Sequence, residues 1–176
     1  MIDFSEQHST ELASASKHSA LTSMSETEGW RITNDSVMGG KSAGNFILQQ
    51  NYALFSGNIS LENNGGFSSV YRSISPLEKA LSRVCIKVKG DGLTYQLRLS
   101  VNVDGYRLAY KHNFTTIADH LAQLSFLLTD FQATFRGRNI AKAPILLSEN
   151  IIEIGFLVKR KVSGPFSLAI KNVDFE

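Results

Sequence analysis

Period-two alternation, repeated run after run, is what most restricts the fold open to this chain. Val84, Ile86 and Val88 alternate with Lys87 and Lys89, and Tyr95, Leu97, Leu99 and Val101 with Gln96 and Arg98; Tyr106, Leu108 and Tyr110 do the same against Arg107 and Lys111. Successive side chains of an extended strand point to opposite faces, so each run buries one face and wets the other. The runs FILQQ, YALFSGNISL, FSSVYRSI, RVCIKVKG, TYQLRLSV, YRLAYKHNF, LAQLSFLL, IIEIGFLV and FSLAIKNVDF are short and divided by glycine and asparagine turns, the punctuation of strands. No stretch after Trp30 keeps a helical period long enough to supply crossover helices, which disfavours a parallel α/β sheet. The expectation is an all-β protein, a jelly-roll-like antiparallel β-sandwich of about eight or nine strands.

With 176 residues, 43% of them hydrophobic and 19% charged, the chain has the size and balance of one domain, residues 1–176, around one core. Residues 5–28 are rich in Ser, Thr, His and Glu and read as a polar loop or weakly helical insert around TELASASKHSAL. A net charge of only +2 gives no chain-wide electrostatic reason to expect nucleic acid as a partner. Nothing approaches the ~20 apolar residues of a membrane span. The N-terminus MIDFSEQHSTELASAS lacks a signal-peptide apolar run, and before Trp30 Lys17 faces Asp3, Glu6, Glu11, Glu26 and Glu28, the reverse of a transit peptide. With Cys85 the single cysteine, the expected location is cytoplasmic.

Few catalytic patterns are present. The stretch Asp35–Ser42, DSVMGGKS, ends like a nucleotide-binding P-loop, but that loop needs G-x-x-x-x-G-K-[ST], and Asp35 stands where the first glycine belongs. A Gly-Gly turn into a strand fits every residue. His8, His18, His112 and His120 have no ligand spacing to one another or to Cys85, so no metal and no cofactor is expected. Neither a G-x-S-x-G elbow nor a dinucleotide fingerprint occurs. Cys85, mid-strand, reads as an inert thiol.

Binding constellations are more numerous. Asn63-Asn64-Gly65-Gly66 sits between two strands; it suits a turn needing positive φ, and its paired amides could also read a polar ligand. Lys87, Lys89, Gln96, Arg98, Arg107 and Lys111 would form one basic sheet face if their three strands are neighbours. Phe135-Arg136-Gly137-Arg138 adds two guanidiniums suited to carboxylate or phosphate contact, or to capping a loop.

The blocks WRITNDSVMGGKS, ALFSGNISLENNGGFSSVYR, VKGDGLTYQLRL, TFRGR and GPFSLAIKNVDF, in that order from Trp30 to the C-terminus, resemble the complex I intermediate-associated protein 30 family. The resemblance implies a galactose-binding-like β-sandwich and an assembly or binding role without established catalysis. Eukaryotic members assist assembly of mitochondrial NADH:ubiquinone oxidoreductase, so the implied partner is a protein, a respiratory-complex subunit or intermediate among the candidates. Ile2-Asp3-Phe4 resembles the family's opening strand, and the long polar insert that follows gives the chain the look of a prokaryotic member or free-standing domain. Asn34, Asp35, Met38, Gly39 and Gly40 match the family's first block, whereas Lys41 falls in a variable position. By the same matching the expected binding residues are Asn34, Asp35, Asn63, Asn64, Arg72, Arg98 and Arg136.

Three functions follow in order. The first is a non-enzymatic module that holds a protein partner by its loop end and basic sheet face. The second is a binder of carbohydrate or another small polar ligand, using Asn63-Asn64 and an exposed ring among Trp30, Phe67 and Tyr71. The third is an enzyme, which requires Asp35, Glu62 and Arg98 to meet in one pocket.

Overall fold

Alternating runs become strands when a second apolar face is available to cover them, and here two sheets cover each other. The computed structural model describes residues 18–19 and 29–176. Its strands are β1 (His18–Ser19), β2 (Trp30–Asn34), β3 (Ala43–Leu48), β4 (Ala53–Ile59), β5 (Phe67–Ser73), β6 (Arg83–Lys89) and β7 (Thr94–Val103). They continue as β8 (Tyr106–Thr115), β9 (Leu121–Leu127), β10 (Gln132–Phe135), β11 (Arg138–Asn139), β12 (Ile151–Lys159) and β13 (Gly164–Phe175). Four single 3-10 turns are the only helical elements among the described residues. The antiparallel sandwich expected from the alternation is what forms.

One sheet runs β3-β4-β13-β6-β9, with β1 paired to the end of β13; the other runs β11-β10-β8-β7-β12-β5-β2. Every strand pairing is antiparallel. The core lies between the sheets. Tyr95, Leu97 and Leu99 of β7, Phe156 of β12, Phe55 of β4 and Leu168 and Ile170 of β13 are all fully buried there. Tyr95 brings its hydroxyl out of that core to Asp91, 3.0 Å from each carboxylate oxygen, while Asp91 also accepts from the Ser167 N–H at 2.7 Å. Burial first and then the Asp91 charge push the Tyr95 phenol far above its ordinary value, so it stays a donor.

The expected single basic face is divided by this topology. Lys87 and Lys89 ride on β6 in the first sheet, whereas Arg98, Arg107 and Lys111 ride on β7 and β8 in the second. Sequence adjacency of β6 and β7 does not make them neighbours, because the chain crosses between sheets at Gly90–Leu93. Most of the insert at 5–28, and Ile2-Asp3-Phe4, lie outside the described residues. Within the segment expected to be weakly helical, His18–Ser19 is instead extended and pairs with Phe175 and Asp174.

Candidate functional site

The family-like blocks around Asp35 and Asn63 converge on a single carboxylate. After β2 the chain makes a 3-10 turn over Asp35–Met38, closed by Gly39 at φ +86°. Asp35 is buried and accepts hydrogen bonds from the Ser42 N–H at 2.9 Å, the Ser42 hydroxyl, the Gly66 N–H at 2.6 Å and the Phe67 N–H at 3.3 Å. Burial alone would raise its pKa, but these four donors outweigh it and hold the carboxyl below its usual value. A Cβ on Gly40 would overlap this carboxylate, and one on Gly65 would come within 2.6 Å of it, so both glycines are required by close approach. Asn63, at φ +54°, donates through Nδ2 to the Gly39 carbonyl at 2.9 Å; Asn34 accepts from the Ser68 hydroxyl at 2.6 Å. Asn64 is exposed at φ +59°. Glu62, also exposed, pairs with Lys41 at 2.5 Å.

A different set of residues surrounds a cleft of about 320 Å³ on the outer face of the seven-stranded sheet, lined by Arg31, Thr33, Tyr71, Arg98, Ser100, Arg107, Ala109, Thr134, Arg136 and Gly137. Alternation places them: Arg31 and Thr33 on β2, Tyr71 on β5, Arg98 and Ser100 on β7, Arg107 and Ala109 on β8 and Thr134 on β10 share the face turned from the core. Arg136 and Gly137, both at positive φ, form the two-residue turn between β10 and β11, with Phe135 opposite Arg138. Small side chains at Ser100, Ala109 and Gly155 keep the floor low.

One carboxylate meets these cations. Glu153 of β12, only 2% exposed, accepts from Arg31 Nη2 at 2.7 and 2.6 Å and pairs with Arg107 as well. Burial and the neighbouring Arg31 charge draw the Arg107 guanidinium below its ordinary value. Arg107 also lies over the Tyr71 ring, 5.9 Å from its centroid. Among the described residues no acid reaches the other two. Arg98 donates to Thr134 Oγ1 at 3.1 Å and leaves its buried Nε without a partner, and Arg136 rests over the Phe135 ring at 5.3 Å. Among the described residues, four guanidiniums therefore face one carboxylate, and two of the four have no counter-ion.

Of the expected binding residues, the cleft brings together Arg98 and Arg136. Asn34, Asp35, Asn63 and Asn64 gather at the turn cluster instead. Arg72 belongs to neither, because on β5 it points to the face opposite Tyr71, beside Trp30 on β2. Trp30 packs on Phe46 between the sheets, centroids 4.5 Å apart. Asp35 and Glu62 do not line the cleft that holds Arg98, so the acid-base constellation does not assemble there. Sequence reading missed Arg31 and Glu153. The signal was a lone carboxylate inside the apolar run IIEIGFLV, where an acid is buried only with a partner.

A second hollow, about 500 Å³ on the outer face of the six-stranded sheet, carries Lys89, Asp91, Asp119 and Lys171. Its acids are committed, Asp91 to Tyr95 and Ser167 and Asp119 to Lys89 at 3.2 Å. No group of three metal-ligating side chains and no helix long and apolar enough to cross a membrane occurs among the described residues.

Residues 19–170 match the sequence profile of complex I intermediate-associated protein 30. The chain belongs to that family. The match extends the resemblance at Trp30 back to Ser19, so the family's fold runs through nearly all of the described residues. No curated protein matches the chain in sequence. Among solved structures, it is similar to the family 11 carbohydrate-binding module from Clostridium thermocellum in complex with a β-1,3-1,4-mixed-linked tetrasaccharide, at 13% identity and TM-score 0.68, over 92% of this chain and 96% of that one. A second structure, the family 11 module of cellulosomal cellulase Lic26A-Cel5E of the same organism, gives 13% identity and TM-score 0.67 over 93% and 95%. A family 4 carbohydrate-binding module matches at 12% identity and TM-score 0.52 over 90% and 95%. At such identities the likeness is one of fold.

Proposed function

We propose that this member of the complex I intermediate-associated protein 30 family is a non-catalytic binding domain, assembly-factor-like, that holds a protein partner on the outer face of its seven-stranded sheet. The observation that carries the reading is the cleft with its four arginines and its single, internally paired Glu153. A volume near 320 Å³ falls at the lower end of ligand-binding hollows, about 300–1,000 Å³, and arginine is the cation enriched where proteins anchor one another. The proposed contact residues are those facing the cleft, Arg98 and Arg136 with Arg31, Thr33 and Arg107; Asn34, Asp35 and Asn63 act behind them by fixing the turn that follows β2.

The structural relative from Clostridium thermocellum holds a tetrasaccharide, and carbohydrate is the second reading. One observation weighs against it. Sugar sites offer a bare ring to the apolar face of a pyranose, whereas Arg107 covers Tyr71 and Trp30 is packed on Phe46. An enzyme would need an acid-base pair in the cleft, and its one carboxylate is held by two guanidiniums.

The test is to recover the partner from the native host, identify it by mass spectrometry, and titrate the purified partner against two variants. Thr33→Trp fills the cleft without changing its charge and should abolish binding. Lys171→Ala, on the other sheet, should leave it intact. Binding that survives Thr33→Trp and fails with Lys171→Ala would move the site to the six-stranded sheet.

A further inference from the structure

Resting on that reading of the cleft, we infer the chemistry of what enters it: an acidic segment of the partner protein, with closely spaced carboxylates, seated on Arg98 and Arg136. Three features lead there. The charge does not balance among the described residues: Glu153 neutralises at most one of the four guanidiniums, which leaves a surplus of positive charge in one cleft of a chain whose overall charge is only +2. Like charges crowded on a low-dielectric wall are unfavourable until an anion arrives, and the same field raises the local concentration of anions.

The second feature is unfinished hydrogen bonding. Arg98 has five N–H donors in a fixed fork, yet its described bond is one, to Thr134, and its buried Nε has no acceptor. A donor removed from water without an acceptor is unfavourable; a small shift of the side chain on binding would give it a carboxylate oxygen, in the planar geometry that favours arginine over lysine.

The third is the conformation of Arg136. Its φ of +48° is one that asparagine or glycine adopts more readily than arginine, and the turn it forms lines the same cleft as Arg98. Arg98 and Arg136 offer two separate anchors, and Lys111, beside Arg98 across β7 and β8, a third. Three cations carried by β7, β8 and the β10–β11 turn suit successive carboxylates on one extended peptide better than a single inorganic anion. The hydroxyls of Thr33, Ser100 and Thr134 can serve the peptide backbone between them, and the covered Tyr71 ring argues for peptide rather than uronic sugar.

The experiment is calorimetric titration of the full chain with four probes: a hexaglutamate peptide, a hexaglutamine peptide, inorganic phosphate and a β-1,3-1,4-mixed-linked tetrasaccharide. The expected result is that hexaglutamate binds, that hexaglutamine and tetrasaccharide do not, and that affinity weakens as salt rises from about 50 to 200 mM. Arg98→Gln with Arg136→Gln should weaken hexaglutamate by about tenfold or more, while thermal melting confirms that the double variant is folded. Each other outcome overturns the inference. Phosphate binding as tightly as the peptide would mean a single-anion site, and tetrasaccharide binding without hexaglutamate would mean a sugar site in the same cleft. No probe binding would remove the acidic segment altogether. If the partner recovered from the host is blocked by Thr33→Trp yet indifferent to the double glutamine variant, the cleft remains the site and only its proposed chemistry fails.

Discussion

At the scale of single residues, two arrangements do different work. Asp35 is structural: four donors from three residues close around its carboxylate, tying the end of β2 to the start of β5. Asp35→Ala would leave buried N–H groups without acceptors at about 1–3 kcal/mol each, so a total loss on the order of 3 kcal/mol is expected, a fall in Tm of roughly 10 °C for a chain of this size. Differential scanning calorimetry measures it. The lowered pKa of Asp35 fixes the sign with pH: the unfolded carboxyl takes up its proton first, so the stabilisation is complete above the unfolded value of about 4 and is lost as pH falls through the folded value. Acid unfolding of the wild type should therefore be steeper than that of Asp35→Asn below pH ~4. Arg136 is the opposite case. Replacing it by Asn, which tolerates the left-handed region, should keep or raise stability by up to about 1 kcal/mol while weakening hexaglutamate; a denaturant melt and a titration on the same variant separate the two effects.

At the scale of elements, the alternation in β6, β7 and β8 was plain in the sequence because each has one dry and one wet face. The order of strands was not. β6 and β7 are consecutive and both carry basic residues on their wet faces, yet a strand's own pattern says nothing about which sheet it joins, and here the crossing at Gly90–Leu93 separates them. β2 and β10 escaped notice because they are four or five residues long and lie toward a sheet edge, where burial is incomplete. The motif around Asp35 was legible as a turn, but its reason, a carboxylate reached from 31 residues away by Gly66, depends on tertiary contact. Gly155 on β12 carries a testable consequence of register. It sits opposite Tyr71 on one side and Arg98 on the other, and an added Cβ would overlap the Tyr71 ring. Gly155→Ala should push that ring and Arg107 toward the cleft, at about 1–3 kcal/mol of stability, measurable by urea unfolding.

At the scale of the whole molecule, a nearly neutral chain gathers four arginines around one cleft on the outer face of the seven-stranded sheet. The turn cluster fixes the loop that follows the cleft's edge strand, and the sandwich core holds β7 and β8 rigid beneath the arginines. Backbone NMR of the isotope-labelled protein titrated with hexaglutamate tests this most directly. Shifts are expected to concentrate at Arg31–Thr33, Tyr71, Arg98–Ser100, Arg107–Ala109 and Thr134–Gly137. Shifts confined to the six-stranded sheet, around Lys87, Lys89 and Lys171, or to the Asn63–Gly66 turn, would contradict it.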